Sequence, residues 1–309
     1  MGKLIDGVWH ANDRDLTGDE EGHFRRAAAT FRDWVKKGDA KHPAEPGRYH
    51  LYVAYACPWA HRTLIYRALK GLEAITVSVA KPEMLENGWE LEDDPVNGTR
   101  FLHEVYTRAD PSFTGRVTVP VLWDKVAGTI VNNESAEIIR MFDEELGRTG
   151  PDLRPVPLRD EIDEVNARVY DTINNGVYKS GFASSQRAYD KAVGELFESL
   201  DWLEARLDGS RWLVGDRMTE ADIRLFTTLY RFDPVYFVHF KCSRRQIQDY
   251  PRLWALTRRI YQIPAVKATC HLEAIRRHYY YSHAQINPYR IVPIPPDIDY
   301  DAEVVEDRA

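Results

Sequence analysis

The sequence predicts a mixed α/β domain followed by an all-helical one. Three observations carry this reading: a strand-helix-strand pattern opens at Tyr49, a Pro/Gly-rich break falls at 147–160, and beyond it apolar residues recur only at helical spacing.

Residues 1–47 form an arm of charge clusters around one amphipathic piece, "FRRAAATFRDWV", whose Phe24, Phe31 and Trp34 fall near helical spacing and imply that the arm docks. The first domain is expected over 48–146. "YHLYVAYA" reads as a strand, "PWAHRTLIYRALKGL" as a helix ending near Gly71, and "AITVSVA" as a second strand alternating Ile75, Val77 and Val79. A polar insertion at 81–115 precedes "RVTVPVLWD", a strand carrying Pro120, then the strand "GTIVNN" and the helix "ESAEIIRMFDEEL". The order β-α-β, insertion, β-β-α predicts a four-stranded sheet with helices packed on it.

After the 147–160 linker, the helical domain is expected over 161–270. Ile162, Val165, Val169, Ile173 and Val177 form one stripe; Val193, Leu196, Leu200, Leu203 and Leu207 form a second; Leu253, Leu256 and Ile260 add a third. "MTEADIRLF" carries a helix start in which Thr219 caps and Asp222 reaches back, with Met218 and Ile223 as a hydrophobic staple. The tail, 271–309, is rich in Tyr and Pro, ends acidic, and is expected to be part wall and part surface strap.

The chain's 309 residues, 44% hydrophobic and 29% charged, describe an ordinary globular protein with room for a sizeable core. A net charge of −7 argues against a nucleic-acid partner. The N-terminus lacks an apolar signal core and no stretch approaches the ~20 apolar residues of a membrane span, so a cytoplasmic protein without a membrane partner is expected. Cys57, Cys242 and Cys270 are odd in number and match no metal-binding spacing, which favours free thiols in a reducing compartment.

Cys57 stands where a strand turns into a helix, in "AYACPWAHRTLI". A thiol there lies near unpaired backbone N–H groups and the positive end of the helix dipole, which favour thiolate, and Pro58 suits the first helical turn. His61 and Arg62 either add positive potential or face solvent. The bland alternative for Cys57 is a buried hydrophobe, the reading that Cys242 and Cys270 receive. C-P-W-A has no second cysteine, so a disulfide at Cys57 requires an external thiol or a distant residue. His271, His278 and His283 fit no zinc pattern, and neither a metal nor a nucleotide is expected.

In "TVPVLWD", Pro120 cannot donate to a ladder and belongs at an edge or in a special turn, with a cis Val119–Pro120 bond as one option. Exposed backbone at Val119 would template a short peptide. In "NNESAEII", Glu134 and Ser135 stand at a helix start, either as an ordinary cap or as a site where Ser135 and helix N–H groups bind a carboxylate and Glu134 an ammonium.

The C-P-W-A turn, the T-V-P strand, the E-S helix start and the helical second domain resemble a glutathione transferase built on a thioredoxin-like domain. "NNGVYKSGFASSQRAYD", "ADIRLFTTLYRFDPVYFVHFKC" and "RRHYYYSHAQINPYRIVP" resemble, more narrowly, the glutathionyl-hydroquinone reductases, the xi class. The resemblance spans roughly residues 1–295 and leaves the acidic end uncovered. It implies Cys57 as nucleophile, Val119 as backbone anchor for the cysteinyl part of glutathione, Glu134 and Ser135 at its γ-glutamyl end, Trp89 packing on the peptide, and Arg116 at a carboxylate. Tyr178, with Tyr279 and Tyr280, would line a quinone pocket, and which of the tyrosines at 279–281 points inward stays open. Ser180 is a minor departure from the pattern. The implied reaction is reductive deglutathionylation of glutathionyl-hydroquinones, with glutathione as co-substrate and a homodimer as the assembly. An omega-like thiol transferase or dehydroascorbate reductase, and a non-catalytic binding protein on the same scaffold, are the alternatives.

Overall fold

A computed structural model describes residues 2–11, 18–147 and 149–304, so the last acidic residues and part of the arm lie outside the described residues. Two compact units result, each discontinuous in sequence. The described residues of Met1–Leu16, Ala27–Pro151 and His271–His283 form one; those of Thr17–Arg26, Asp152–Cys270 and Ala284–Ala309 form the other.

The first unit opens with a hairpin of β1 (Lys3–Ile5) and β2 (Val8–His10), Ile5 opposite Val8. Its two-residue loop, Asp6-Gly7, has φ of 46° and 77°, the positive pair that a tight hairpin turn demands. Then follow β3 (Tyr49–Val53), α1 (Pro58–Leu69), β4 (Thr76–Val79), α2 (Leu102–Ala109), β5 (Val121–Asp124), β6 (Thr129–Asn132) and α3 (Ser135–Arg140), which runs on into a π-helical turn, Met141–Leu146. The sheet order is β4-β3-β5-β6, with β3 parallel to β4 and antiparallel to β5, and β6 antiparallel to β5. Every residue of β3 and β5 is buried, which is why both read as near-continuous apolar runs.

Three points sharpen the reading. The segment 24–35 holds no helix: it runs extended, with Asp33 N–H donating to Val131 O at 3.0 Å and Asn133 N–H to Phe31 O at 3.1 Å. Covering the exposed edge of β6 supplies backbone bonds that outweigh the helical preference of its alanines. Pro120 lies ahead of β5, and β5 is an inner strand, so the edge option fails; the Val119–Pro120 bond is cis. The 81–115 insertion contains α2, whose start is held by the Glu104 carboxylate accepting from Phe101 N–H at 2.9 Å.

The second unit contains α4 (Arg159–Arg168), α5 (Gly176–Gly181), α6 (Gln186–Arg206), α7 (Glu220–Arg231), α8 (Phe237–His239), α9 (Pro251–Tyr261) and α10 (Pro264–Lys267). The three apolar stripes are all buried. Thr219 caps α7, and the Asp222 carboxylate accepts from the N–H groups of Thr219 at 2.8 Å and Leu213 at 2.9 Å. The segment after 283 straps this unit: Tyr300 is buried against Tyr230, Trp254 and Tyr261, and its hydroxyl donates to Tyr230 O at 3.0 Å. The part of the tail before it is a helix, α11 (Leu272–Ser282), belonging to the first unit.

Candidate active site

Cys57 is the N-cap residue of α1, with extended backbone (φ −75°, ψ 121°) and Pro58 following at the first helical position. Its N–H donates to Ala54 O at 3.0 Å, which sets the turn out of β3. The thiol is half-buried and donates to the carbonyl of Val119 at 3.5 Å, so the residue before cis Pro120 faces the sulfur with its backbone. A reachable thiol at a helix N-terminus is the local setting that thiol exchange uses. The buried-hydrophobe reading therefore fits Cys57 poorly. Cys242 and Cys270 differ: burial pushes the Cys242 thiol well up and the Cys270 thiol up to about 12.

His61 and Arg62 are both buried, so the solvent-facing option falls. The Arg62 guanidinium lies over the Trp59 ring, 4.5 Å from its centroid, and reaches Ser135 Oγ at 3.5 Å, joining α1 to the start of α3. There Glu134 is the N-cap residue. Its Oε1 accepts from Ala136 N–H at 3.0 Å and from Ser135 Oγ–H at 3.5 Å, and its own N–H donates to Asn132 Oδ1 at 2.7 Å. The ordinary capping role is thus present at the very residues that the resemblance gives to glutathione.

Trp89 is buried and follows directly on a turn, Leu85 to Gly88, closed by Gly88 N–H on Leu85 O at 3.0 Å. Its ring stacks on His278 of α11 with centroids 4.8 Å apart and planes 19° apart. The same helix is tied to 82–84 by His278 Nδ1 on Pro82 O at 2.8 Å, by Met84 N–H donating to Ser282 Oγ at 3.0 Å, and by the Arg277–Glu83 ion pair at 2.6 Å. The structure therefore brings Trp89 beside the helix that bears the tyrosine triplet. Nothing local in the sequence signals the His278–Trp89 stack; the histidine drew notice only for metal binding.

Within the triplet, Tyr279 and Tyr280 are buried at 1% and 3% exposure, whereas Tyr281 is half-buried under the Arg277 guanidinium, 4.1 Å from its ring. Burial, opposed by Arg276, pushes the Tyr280 phenol up to about 12, so it holds its proton at neutral pH. At the other end of α11, His271 stacks on Tyr55, two residues before Cys57, at 3.7 Å. Arg116 is half-buried and follows Gly115, whose backbone pairs with Leu4.

Tyr178 belongs to the second unit, on α5. The Arg26 guanidinium lies 4.7 Å from its ring centroid while Arg26 Nε donates to Asn175 Oδ1 at 2.7 Å, and Phe182, Tyr236 and Phe240 surround it. Arg26 sits inside the arm's amphipathic piece, and nothing local in the sequence signals its cation–π contact with a tyrosine far along the chain. Ser180 is buried and donates to Gly176 O at 2.9 Å. Among the described residues no group of three His, Cys, Asp or Glu side chains is arranged to hold a metal.

The N-terminal domain of glutathione S-transferases matches residues 56–145, and their C-terminal domain matches 186–259. The chain is 53% identical to the glutathionyl-hydroquinone reductase YqjG of Escherichia coli, over 97% of both chains. It is 52% identical to the glutathionyl-hydroquinone reductase PcpF of Sphingobium chlorophenolicum, over 96% of both. The glutathione-bound structure of YqjG superimposes with a TM-score of 0.89 at 50% identity, covering 98% of each chain. A xi-class glutathione transferase from Natrialba magadii superimposes with a TM-score of 0.93 at 46% identity, covering 99% of this chain and 97% of that one.

Proposed function

The chain belongs to the glutathionyl-hydroquinone reductases, the xi class of glutathione transferases, and on that premise we propose that it reduces glutathionyl-hydroquinones to hydroquinones through a Cys57–glutathione mixed disulfide. The single observation that carries this is Cys57 itself: a half-exposed thiol at the start of α1, with the backbone carbonyl of Val119 against its sulfur.

The Cys57 thiolate attacks the sulfur of the conjugate. The bond between that sulfur and the aromatic carbon breaks, its electron pair stays with the ring, and the ring carbon takes a proton, releasing hydroquinone. A second glutathione, as thiolate, attacks the mixed disulfide, leaving as glutathione disulfide and restoring Cys57. Overall the conjugate's own sulfur and the thiol of the second glutathione supply the two electrons that the ring gains, while Cys57 is returned unchanged.

The remaining site residues are part of the proposal. Val119 anchors the cysteinyl backbone, Glu134 and Ser135 hold the γ-glutamyl end, Trp89 packs on the peptide and Arg116 meets a carboxylate. Tyr279 and Tyr280 supply the aromatic wall and a proton; burial keeps the Tyr280 phenol protonated at neutral pH, so the proton is present, and the stack of Trp89 on α11 supports a joint role. Tyr178 enters through the resemblance alone. We also propose a homodimer, checked by light scattering. Cytoplasmic residence is the compartment that free thiols suit, and no helix among the described residues is long and apolar enough to cross a membrane.

The test is glutathione-dependent release of free hydroquinone from a glutathionyl-hydroquinone, followed by chromatography for wild type and Cys57→Ala. Release lost in the variant, with one glutathionyl group on wild-type Cys57 by mass spectrometry, is the expected result. A folded wild type that releases nothing overturns the proposal.

A further inference from the structure

The hairpin β1–β2 is too short to hold itself together, since an isolated two-stranded ribbon is marginal in water. Its order comes from what it touches, and it touches three segments. On one side, Leu4 and Gly115 exchange both backbone bonds at 2.9 Å, Asp6 N–H donates to Thr114 Oγ1 at 2.8 Å and Gly7 N–H to Phe113 O at 3.1 Å. Gly7 approaches so closely that a Cβ there would lie 1.9 Å from Pro111 O. On the other side, Trp9 reaches the turn that leads into Trp89. Its indole N–H donates to Glu86 O at 3.0 Å, and its ring lies over Gly88, where an added Cβ would sit 3.0 Å from the indole. The ring also stacks on His103 of α2, with centroids 4.7 Å apart and planes 14° apart.

We propose that Trp9 is a positioning residue for glutathione, holding the Leu85–Gly88 turn so that Trp89 is set for the peptide, and that the hairpin braces the segments bearing Trp89 and Arg116 against each other. The inference rests on the glutathione site proposed above and deepens it. The segment 81–90 contains no helix and only isolated bridges, so the register of Trp89 depends on side chains that grip its turn. Gly88 has φ of +72°, a backbone state in which few residues but glycine rest easily, and it leaves room for the indole directly above. His278 stacks on Trp89 itself; Trp9 grips the turn one step upstream. Because such coupling is reciprocal, glutathione on Trp89 must in turn tighten the hairpin.

The experiment measures glutathione binding by calorimetry and KM and kcat in the release assay for Trp9→Ala, Trp9→Phe, Trp89→Ala and the double variant. Trp9→Ala should weaken binding and raise the glutathione KM about tenfold, with kcat within about twofold, the mark of lost ground-state positioning. Trp9→Phe, which keeps a ring and loses the N–H, should cost about threefold, and it carries the test if Trp9→Ala does not fold. Added to Trp89→Ala, Trp9→Ala should cost nothing more, because it acts through that residue. Hydrogen exchange at peptides covering residues 3–10 should slow when glutathione binds. Unchanged affinity in Trp9→Phe or Trp9→Ala, or losses that simply add in the double variant, overturn the proposal. A wild type that binds glutathione but releases no hydroquinone sinks the reductase reading and leaves this one standing; a wild type that binds no glutathione sinks both.

Discussion

Replacing Cys57 by serine should abolish turnover and, relative to alanine at the same place, stabilise the protein. Cys57 occupies an N-cap position with the extended backbone that capping residues adopt, yet its side chain accepts no bond from the first turn of α1; the thiol is turned to Val119 O instead. The protein shows what a serine does in that setting: Ser185, N-cap of α6 with φ −137° and ψ 152°, accepts from Ala188 N–H at 3.2 Å. A cap of this kind is worth about 1 kcal/mol over alanine. For a protein of this length that corresponds to about 2 °C in the unfolding midpoint. Chemistry moves the other way, because a serine alkoxide is inaccessible at neutral pH and the hydroxyl cannot form the mixed disulfide. The assay pairs urea and thermal unfolding of Cys57→Ser and Cys57→Ala with hydroquinone release by both. Equal stability of the two variants would mean that Cys57 is not held in capping geometry. Residual release by Cys57→Ser would refute the thiolate mechanism.

Asp222→Ala removes the acceptor for two buried N–H groups, of Leu213 and Thr219, and should cost about 3 kcal/mol by chemical denaturation. Burial holds the Asp222 carboxyl up at about 6, so the folded chain binds this proton more tightly than the unfolded one, and the group makes stability fall as pH rises from about 4 to 6; Asp222→Asn should erase that slope. Asp124 has the opposite sign. Burial pulls its carboxyl up, but Arg48, the Ala127 and Val126 N–H groups and His42 outweigh it and hold the group down at about 2. Its stabilisation, roughly 2 kcal/mol, is complete above the ordinary value near 4 and is lost as pH falls from there through about 2; an acid titration of the folded state in which Asp124→Asn matches wild type would contradict this. Tyr280→Phe should lower the rate of release without changing its pH profile between about pH 6 and 9, since the phenol stays protonated throughout; a basic limb in that range that vanishes with the substitution would show Tyr280 ionising.

What the sequence revealed and what it hid divide along the range of the forces involved. The β3-α1-β4 unit, the three helical stripes and the Thr219–Asp222 cap are each decided by residues a few positions apart, and all were legible. Cys57 was legible for the same reason, since the strand end, the N-cap position and Pro58 lie side by side. The arm's aromatic spacing says that it docks but not how, because the sheet edge that gives it an extended backbone lies far along the chain. The hairpin did carry a local signal, Asp-Gly between "KLI" and "VWH", that went unread. The Arg62–Ser135 link, the Trp89–His278 stack and the grip of Trp9 on Glu86 have no local signature at all. They join residues that only the finished fold brings together.

The cysteine inventory decides how the catalytic cycle must close. In a C-x-x-C site the resolving thiol stands one helical turn after the first; here that place is taken by Ala60, fully buried. The two other cysteines are poor substitutes, because thiol–disulfide exchange needs a thiolate and burial pushes the Cys242 thiol well up and the Cys270 thiol up to about 12. At neutral pH only a minute fraction of either is ionised. The proposed mixed disulfide at Cys57 therefore needs a thiol from solution, and the half-exposure of Cys57 leaves that sulfur within reach of one. An external thiol is then a requirement of the proposed cycle: the first glutathione is transferred as cargo, and the second thiol is the reductant for which neither Cys242 nor Cys270 is a fit replacement.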